Sequence, residues 1–185
     1  MILLRHGQSE FNLHFTATRV DPGIADPVLT DAGRAQAAKA GAELRDAGIR
    51  RIVASPYRRT LQTAEIVAAS LAVPIEINPL VRERYGFTCD IGTPASRLRE
   101  DWPHHDFGDL EEIWWPPEEE PVEHIVGRAA RFRAAMAGMD DWSDVLVVSH
   151  WGFILSLTGL SVANGAWLRC DPAAAPPDEI VWRHH

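Results

Sequence analysis

The stretch Met1-Ile2-Leu3-Leu4-Arg5-His6-Gly7 opens the chain with a short apolar run that ends in an arginine, a histidine and a glycine. The apolar run predicts a buried β-strand, and Gly7 allows the backbone to turn sharply where that strand ends. The guanidinium of Arg5 carries a planar fork of donors that fits a phosphate group, and a ring nitrogen of His6 can attack one. These residue types indicate a phosphate-handling site, although a histidine after a strand is also a common structural residue.

The composition is that of an ordinary globular protein, and it excludes several classes of function. The 185 residues, 46% of them hydrophobic and 24% charged, fit one domain spanning 1–185. A net charge of −8 disfavours nucleic acid and anionic membranes as partners, so an anionic substrate needs a local basic pocket. No apolar run is long enough to cross a membrane and no signal peptide is recognised, so we expect a cytoplasmic protein.

Strand-like and helix-like segments alternate along most of the chain. The expected strands are 1–5, 50–54, 74–77, 144–149 and 179–183. The expected helices are 30–47 with Thr30 as N-cap and Gly48 as stop, 55–71 with Ser55 as N-cap and Pro56 at its first position, 94–101 with Thr93 as N-cap, 121–139, and one more after Gly152. Apolar strands that alternate with helices favour a three-layer α/β/α sandwich around a mostly parallel central sheet.

The segment 79–120 interrupts this alternation and is rich in Pro, Trp, Glu and His. We expect it to be an ordered insertion over one end of the sheet, a lid region within the same domain. Its tryptophans at 102, 114 and 115 favour core or loop anchoring, and stacking against a substrate is the alternative.

Three of the predicted strands end in residues that can bind an anion. These endings are Arg5-His6-Gly7, Ser55-Pro56-Tyr57-Arg58-Arg59 and Ser149-His150-Trp151-Gly152. The carboxyl ends of parallel strands share one edge of a sheet, beside the N-termini of the helices that follow. That edge would hold two histidines and at least two arginines inside an acidic protein. The convergence predicts an anion site more strongly than any single segment does.

Four segments carry a pattern that extends over most of the chain. They are Arg5-His6-Gly7-Gln8-Ser9-Glu10-Phe11-Asn12, Leu29-Thr30-Asp31-Ala32-Gly33-Arg34-Ala35-Gln36-Ala37, Ser55-Pro56-Tyr57-Arg58-Arg59-Thr60-Leu61-Gln62-Thr63-Ala64-Glu65 and Val147-Val148-Ser149-His150. In content and order they resemble the histidine phosphatase superfamily, the phosphoglycerate mutase-like proteins of the branch 1 type. The resemblance implies an active site at the C-terminal ends of the strands.

The resemblance also implies roles for six residues. His6 is the nucleophile that becomes a phosphohistidine, and Glu83 is the acid that protonates the leaving oxygen. Arg5 and Arg59 hold the phosphoryl oxygens, Asn12 donates a further hydrogen bond, and His150 completes the pocket. His6 has to be neutral to attack, which flanking arginines favour, whereas a phosphate dianion favours a protonated His150. Positioning and charge neutralisation dominate phosphoryl transfer. Two arginines and a charged histidine can therefore take the place of magnesium, and we expect no cofactor.

Two of these assignments have rivals nearby in the sequence. Arg58 precedes Arg59, but the arginine of the family lies four residues after the serine, which favours Arg59. Asp90 competes with Glu83 for the acid role because the sequence after Glu83 lacks the Glu-Gly ending of many relatives.

The pairs His104-His105 and His184-His185 raise the question of a metal. Neither pair has a thiol nearby or the His-x-x-x-His spacing of a helical metal site. We therefore expect no metal site and a metal-independent reaction.

Hydrolysis of a small phosphorylated molecule is the expected function. A phosphoglycerate mutase-type phosphotransferase is the alternative, because Arg82, Arg84, Arg97 and Arg99 could hold a second phosphate group. An inactive module that only binds phosphorylated ligands is a third hypothesis, which the full set of Arg5, His6, Arg59 and His150 disfavours.

Overall fold

The computed structural model describes residues 1–182 and confirms an α/β fold with a mostly parallel central sheet. The strands are β1 (Ile2–Arg5), β2 (Arg51–Ala54), β3 (Ile75–Ile77), β4 (Val145–Ser149) and β5 (Trp167–Arg169). They lie in the order β3-β2-β4-β1-β5. Strands β1 to β4 run parallel, and β5 runs antiparallel beside β1.

Helices surround this sheet. They are α1 (Glu10–Thr18), α2 (Asp31–Glu43), α3 (Arg58–Leu71), α4 (Ala95–Asp101), α5 (Val122–Ala137) and α6 (Trp151–Thr158). Short 3-10 turns occur at Pro79–Val81, Thr88–Asp90 and Trp142–Asp144. Among the described residues, every helix is too short or too polar to cross a membrane.

Both faces of the sheet are covered, which produces the expected three layers. Successive residues of a strand point to opposite faces. Leu3 and Val147 belong to the hydrophobic layer under α5 and α6, whereas Ile2, Leu4 and Leu146 belong to the layer under α2 and α3. Burial on both faces explains why β1 and β4 read as continuous apolar runs.

The expected strand at 179–183 is wrong over residues 179–182, which form no strand, and residue 183 lies outside the described residues. The edge of β1 is occupied instead by β5, with Leu168 opposite Leu3. The ring of Trp182 packs against that of Trp151, with 5.6 Å between the centroids. The sequence Ile180-Val181-Trp182 is typical of a strand, but β5 already pairs with the edge of β1, and the Trp182 ring packs against Trp151.

Helix α2 has the predicted start but an earlier end. The Gly33 N–H donates to Thr30 Oγ1 at 3.0 Å, which confirms Thr30 as the N-cap. The helix ends at Glu43, before the expected stop at Gly48, whose φ of +77° belongs to the following turn. Helix α1, which Ser9 caps, was not expected from the sequence.

Asp26 caps α3 in place of Ser55 and also binds Thr93, whereas Glu112 accepts the N–H of Ser96 at the start of α4. Its Oδ1 accepts the N–H of Arg58, the first residue of α3, at 2.9 Å, and its Oδ2 accepts the hydroxyl of Thr93 at 2.7 Å. The cap positions of α3 and α4 are held by Tyr57 and Pro94, without side-chain hydrogen bonds. One buried carboxylate thus ties the start of α3 to the segment 79–120.

The segment 79–120 has a small core of its own against the start of α3. Tyr57, Leu98, Trp102, Phe107 and Trp114 are buried together in it. The indole N–H of Trp114 donates to the Thr93 carbonyl at 2.9 Å. These tryptophans therefore anchor the segment, as the first of the two interpretations expected.

The turn after β1 and the start of α2 meet backbone to backbone. A Cβ on Gly7 would collide with the carbonyl of Gly33, and a Cβ on Gly33 would collide with the carbonyl of Gln8. The Gly7 N–H donates to Thr63 Oγ1 at 3.1 Å, and the Thr30 N–H donates to the Gln8 carbonyl at 3.0 Å. The segments that carry the family resemblance therefore hold one another in place.

Replacing Gly33 by Ala should reduce the free energy of unfolding by about 1–3 kcal/mol, because the new methyl group overpacks a backbone contact that has no room for it. Gly127→Ala is the matched control, since a Cβ at that exposed position in α5 meets no atom and improves helix propensity. Urea unfolding measures both variants. Equal effects of the two substitutions would contradict the close approach.

Candidate active site

The pairing of β1 with β4 brings the two predicted histidines together. Arg5 lies opposite Ser149 in the parallel register, and the His6 N–H donates to the Ser149 carbonyl at 2.9 Å. His6 directly follows Arg5 and His150 directly follows Ser149, and the two ring centroids lie 5.1 Å apart. The predicted convergence at the carboxyl edge of the sheet is therefore confirmed for these residues.

The His6 ring has a defined orientation and tautomer. Its Nδ1 lies 2.7 Å from the Gly7 carbonyl oxygen, which can only accept, so Nδ1 carries the proton. Nε2 then carries the lone pair, the form that a nucleophile needs. Burial, followed by the charges of Arg59 and Arg5, lowers the pKa of His6 well below its ordinary value. The ring is therefore neutral and ready to attack.

His150 is also neutral in the structure, and the protonated ring expected beside a bound phosphate dianion stays a prediction. Its Nδ1 accepts the Nε–H of Arg59 at 3.3 Å, and its Nε2 lies 2.9 Å from the hydroxyl oxygen of Ser55. Burial and the positive charge of Arg59 lower its pKa well below the ordinary value. The ring is fully buried and lies behind the cavity without lining it. In this arrangement it orients Arg59 and packs against His6.

Arg59 is the arginine that the fold buries at the site, as expected over Arg58. Its side chain is 3% exposed. Nη1 donates to the Cys89 carbonyl at 2.7 Å and Nη2 to Asp90 Oδ1 at 3.0 Å. The guanidinium also lies over the Tyr57 ring, 4.3 Å from its centroid. Arg59 is therefore held in place by the segment 79–120 before any substrate binds.

Both carboxylate oxygens of Asp90, the alternative candidate for the acid, accept hydrogen bonds. Besides Arg59, the N–H groups of Gly86 and Phe87 both donate to its Oδ2 at 3.1 Å. Burial raises its pKa, and the neighbouring Arg59 opposes that shift. The ion pair with Arg59 favours the charged form of Asp90. The contacts fit a residue that positions Arg59.

Glu83 is oriented by the start of α6. Its Oε2 accepts the Gly152 N–H at 3.0 Å, and its Oε1 accepts the Arg84 N–H at 2.8 Å. A Cβ at position 152 would collide with Oε1 of Glu83, so the glycine is needed for this approach. Glu83 lines the same cavity as His6 and Arg5.

Arg5 and Asn12 present donors to the cavity. Arg5 Nη1 donates to the Val162 carbonyl at 2.8 Å, and its buried Nε has no hydrogen-bond partner among residues 1–182. Burial lowers the pKa of Arg5 to about 10, so it stays charged at neutral pH. Asn12 Oδ1 accepts bonds from Ser9 and Asn164. That leaves its amide NH2 without a partner in the described chain.

An ion cluster that the sequence reading missed supports the backbone at Glu83. Glu120, 3% exposed, is bound by Arg82 at 2.8 and 3.1 Å and by Arg128 at 2.7 and 2.9 Å. Burial alone would raise the pKa of Glu120, but the bonds from Arg128 and Arg82 lower it. Arg128 also donates to the carbonyl of Glu83 at 3.3 Å. The sequence signal was an arginine on the apolar face of α5, directly before Ala129.

The site contains a cavity of about 560 Å³. Of the six predicted site residues, all except His150 line it. Five of the lining residues are aromatic, and they are Phe11, Phe15, Phe87, Trp151 and Trp182. A volume of this size suits a small molecule, and the mixed walls offer both a charged end and an apolar face.

Comparison with known proteins identifies the family. The sequence model described as histidine phosphatase superfamily (branch 1) matches residues 1–175. The chain therefore belongs to the histidine phosphatase superfamily, as the four sequence segments predicted.

Individual relatives carry phosphatase and mutase names. The chain is 33% identical over 181 residues to a glucosyl-3-phosphoglycerate phosphatase of Mycolicibacterium vanbaalenii, covering 89% of this chain and 76% of that protein. It is 38% identical over 81 residues to an Erwinia tasmaniensis protein named "Probable phosphoglycerate mutase GpmB". That match covers 44% of this chain, which spans only 36% of the mutase's length.

The same fold occurs in solved structures. A mycobacterial glucosyl-3-phosphoglycerate phosphatase in complex with VO3 superposes with a TM-score of 0.61 and 22% identity, covering 90% of this chain and 88% of that one. This likeness concerns the fold, and it agrees with the three layers described above.

The buried histidines should make stability depend on pH. The unfolded chain binds protons on His6 and His150 below about pH 6.5, while the native state with its lowered pKa values does not. The free energy of unfolding therefore falls as the pH drops below that value. In urea unfolding between about pH 7.5 and 5.5, His6→Gln should reduce the pH slope by up to about 1.4 kcal/mol per pH unit. An unchanged slope would show that His6 is protonated in the native state.

Proposed function

We propose that this protein is a phosphatase that hydrolyses a small phosphate monoester through a phosphohistidine on His6. In the first step, Nε2 of His6 forms a bond to phosphorus while the bond to the leaving oxygen breaks, and Glu83 gives that oxygen a proton. In the second step, the oxygen of a water molecule bonds to phosphorus, the bond from phosphorus to Nε2 breaks, and the water gives a proton to Glu83. Phosphate is released and the free enzyme is restored.

The state of His6 is the observation that carries this proposal. The Gly7 carbonyl fixes the proton on Nδ1, and burial together with the charges of Arg59 and Arg5 keeps the ring neutral. Nε2 accepts no hydrogen bond from residues 1–182, so the lone pair is not already used. A structural histidine would be expected to use both nitrogens.

Arg5 and Arg59 supply the charge that the transferred phosphoryl group needs. For a guanidinium charge about 4 Å from a phosphate charge, with an effective dielectric constant near 20, the electrostatic attraction is on the order of 4 kcal/mol for each arginine. The unpartnered Nε of Arg5 is a donor that a phosphate oxygen would satisfy, and the amide of Asn12 is another. With these donors the reaction needs no metal or other cofactor.

Glu83 is favoured over Asp90 as the acid because of its surroundings. Both carboxylates line the cavity, but among residues 1–182 the oxygens of Glu83 accept bonds from backbone N–H groups alone, those of Gly152 and Arg84. Asp90 is 2% exposed and bound to the guanidinium of Arg59. Asp90 is then a positioning residue that holds Arg59 toward the phosphate.

The mutase alternative is weakened by the contacts of the candidate second phosphate site. Of the four arginines considered, only Arg84 lines the cavity, and its guanidinium is bound to Glu119 and to the Glu120 carbonyl. Arg97 pairs with Glu100 and Asp101 within its own helix. No second group of free basic side chains lines the cavity in the described chain, which favours water as the acceptor.

Several further expectations belong to this proposal. We place the protein in the cytoplasm, as one histidine phosphatase-like domain over 1–185 whose segment 79–120 acts as the lid and selects the substrate. The substrate is a small phosphorylated molecule, and neither nucleic acid nor a membrane is a partner. The size of the cavity and its aromatic lining residues support a small-molecule substrate.

Trapping the phosphoenzyme tests the nucleophile. Mixing the protein with an aryl phosphate and quenching in alkali, which preserves phosphohistidine, should add one phosphoryl group to the peptide that contains His6, as seen by mass spectrometry. His6→Ala should lose both the label and turnover, by roughly three orders of magnitude or more, because no other group supplies the lone pair.

His124→Ala is the control, since His124 is an exposed histidine on α5. It should keep the label and the activity. A labelled residue other than His6, or turnover retained in His6→Ala, would contradict the proposal. Phosphate binding by the wild type without any label or turnover would identify the inactive binding module instead.

The leaving group distinguishes Glu83 from Asp90. Glu83→Gln should slow alkyl phosphates by about 10²–10⁴-fold and aryl phosphates far less, because a good leaving group needs no proton. Asp90→Asn should slow both substrates alike through the loss of the Arg59 anchor. Steady-state rates on matched alkyl and aryl substrates separate the two roles, and the reverse pattern would assign the acid to Asp90.

A further inference from the structure

A cluster outside the cavity joins the segment 79–120 to α3. Glu65 lies on α3, and His104 and His105 follow the end of α4. The Nε2 atoms of the two histidines lie 2.7 and 3.3 Å from the same Glu65 oxygen, Oε1. All three donor atoms fall within 4.8 Å of one another.

We propose that Glu65, His104 and His105 form a binding site for a zinc-type divalent transition-metal ion. Two imidazole nitrogens and one carboxylate oxygen are the donor set that zinc, cobalt and nickel accept. Calcium and magnesium prefer oxygen ligands alone and are disfavoured. The site lies outside the cavity-lining residues, so it serves structure and not the phosphoryl chemistry.

His105 is the observation that points to a ligand. Its side chain is only 10% exposed, and its buried Nε2 makes no hydrogen bond among the described residues, because the Glu65 oxygen 3.3 Å away lies outside hydrogen-bond geometry. A buried polar atom left without a partner is unfavourable, and such atoms are rare. The ring is directed by its contact with the buried Phe107, at 6.5 Å between centroids. A metal ion would give Nε2 the partner that the protein does not supply.

The distances are close to those that a tetrahedral zinc ion requires. Metal–ligand bonds of about 2.1 Å put neighbouring donor atoms about 3.4 Å apart. The separation of 3.3 Å between His105 Nε2 and Glu65 Oε1 already matches this spacing. The pair His104–Glu65 has to open from 2.7 Å, and the 61% exposure of the His104 side chain allows it to move. Solvent can occupy the fourth position on that exposed side.

An ion at this site would close a long-range link. Sequence spacing alone did not predict it, because the third ligand lies 39 residues before the first histidine. The link would join α3, whose first turn carries Arg59, to the segment that holds the arginine through Cys89 and Asp90. Metal binding should therefore stabilise the packing of this segment on α3.

Titration of the full chain with zinc and cobalt tests the proposal. His184→Ala/His185→Ala serves as the starting protein, so that the terminal pair cannot compete. Calorimetry should show one zinc ion bound per chain at neutral pH, and cobalt should give the visible absorption of a four-coordinate site. Zinc should also raise the melting temperature, since an ion that binds the native state stabilises it.

Substitution of the ligands decides the outcome. His104→Ala and Glu65→Gln should each weaken zinc binding by at least about tenfold and abolish the rise in melting temperature. Their melting temperatures in EDTA should stay near that of the starting protein, which checks folding. His124→Ala is the matched control and should change nothing. Absence of zinc binding, or binding that survives both substitutions, would overturn the proposal, whereas turnover of aryl phosphates in EDTA reports separately on the phosphatase.

Discussion

The parallel pairing of β1 with β4 is the constraint on which the site depends. Arg5 lies opposite Ser149, and the residue that follows each of them is a histidine. The two rings therefore lie side by side at the edge of the sheet. A shift of one residue would turn every side chain of a strand to its other face. The side chains of β1 and β4 pack into the hydrophobic layers on both faces of the sheet, and this packing together with the strand pairing holds the two imidazoles at its edge.

The electrostatics of the site follow from burial. The chain carries a net charge of −8, yet Arg5 and Arg59 are held at one edge of the sheet among neutral imidazoles. Burial keeps both histidines uncharged, and the two guanidinium groups add to that effect. Asp90 balances Arg59, whereas the Nε of Arg5 lacks a partner in the described chain. A site with unmatched positive donors is arranged to receive an anion.

The segment 79–120 contributes to the site through buried carboxylates. Asp26 joins its residue Thr93 to the start of α3, Glu120 binds two arginines beneath Glu83, and Asp90 holds Arg59. Each carboxylate satisfies donors from distant parts of the chain, so the segment is held in register with the helices beside the site. This explains how a region with little regular structure can still orient the side chains of the candidate site.

The sequence by itself determined the α/β class, the first four strands, the cap at Thr30 and the meeting of His6 with His150, because apolar runs and strand-end residues are local signals. Only the tertiary structure decided that β5 pairs with β1 and that His150 is neutral and lies behind the cavity. It also decided that Asp26 caps α3 in place of Ser55 and that Glu112 caps α4 in place of Thr93. It also brought Glu65 to the histidine pair at 104 and 105. These features depend on long-range hydrogen bonds and burial, which set partners and protonation states that no local pattern records.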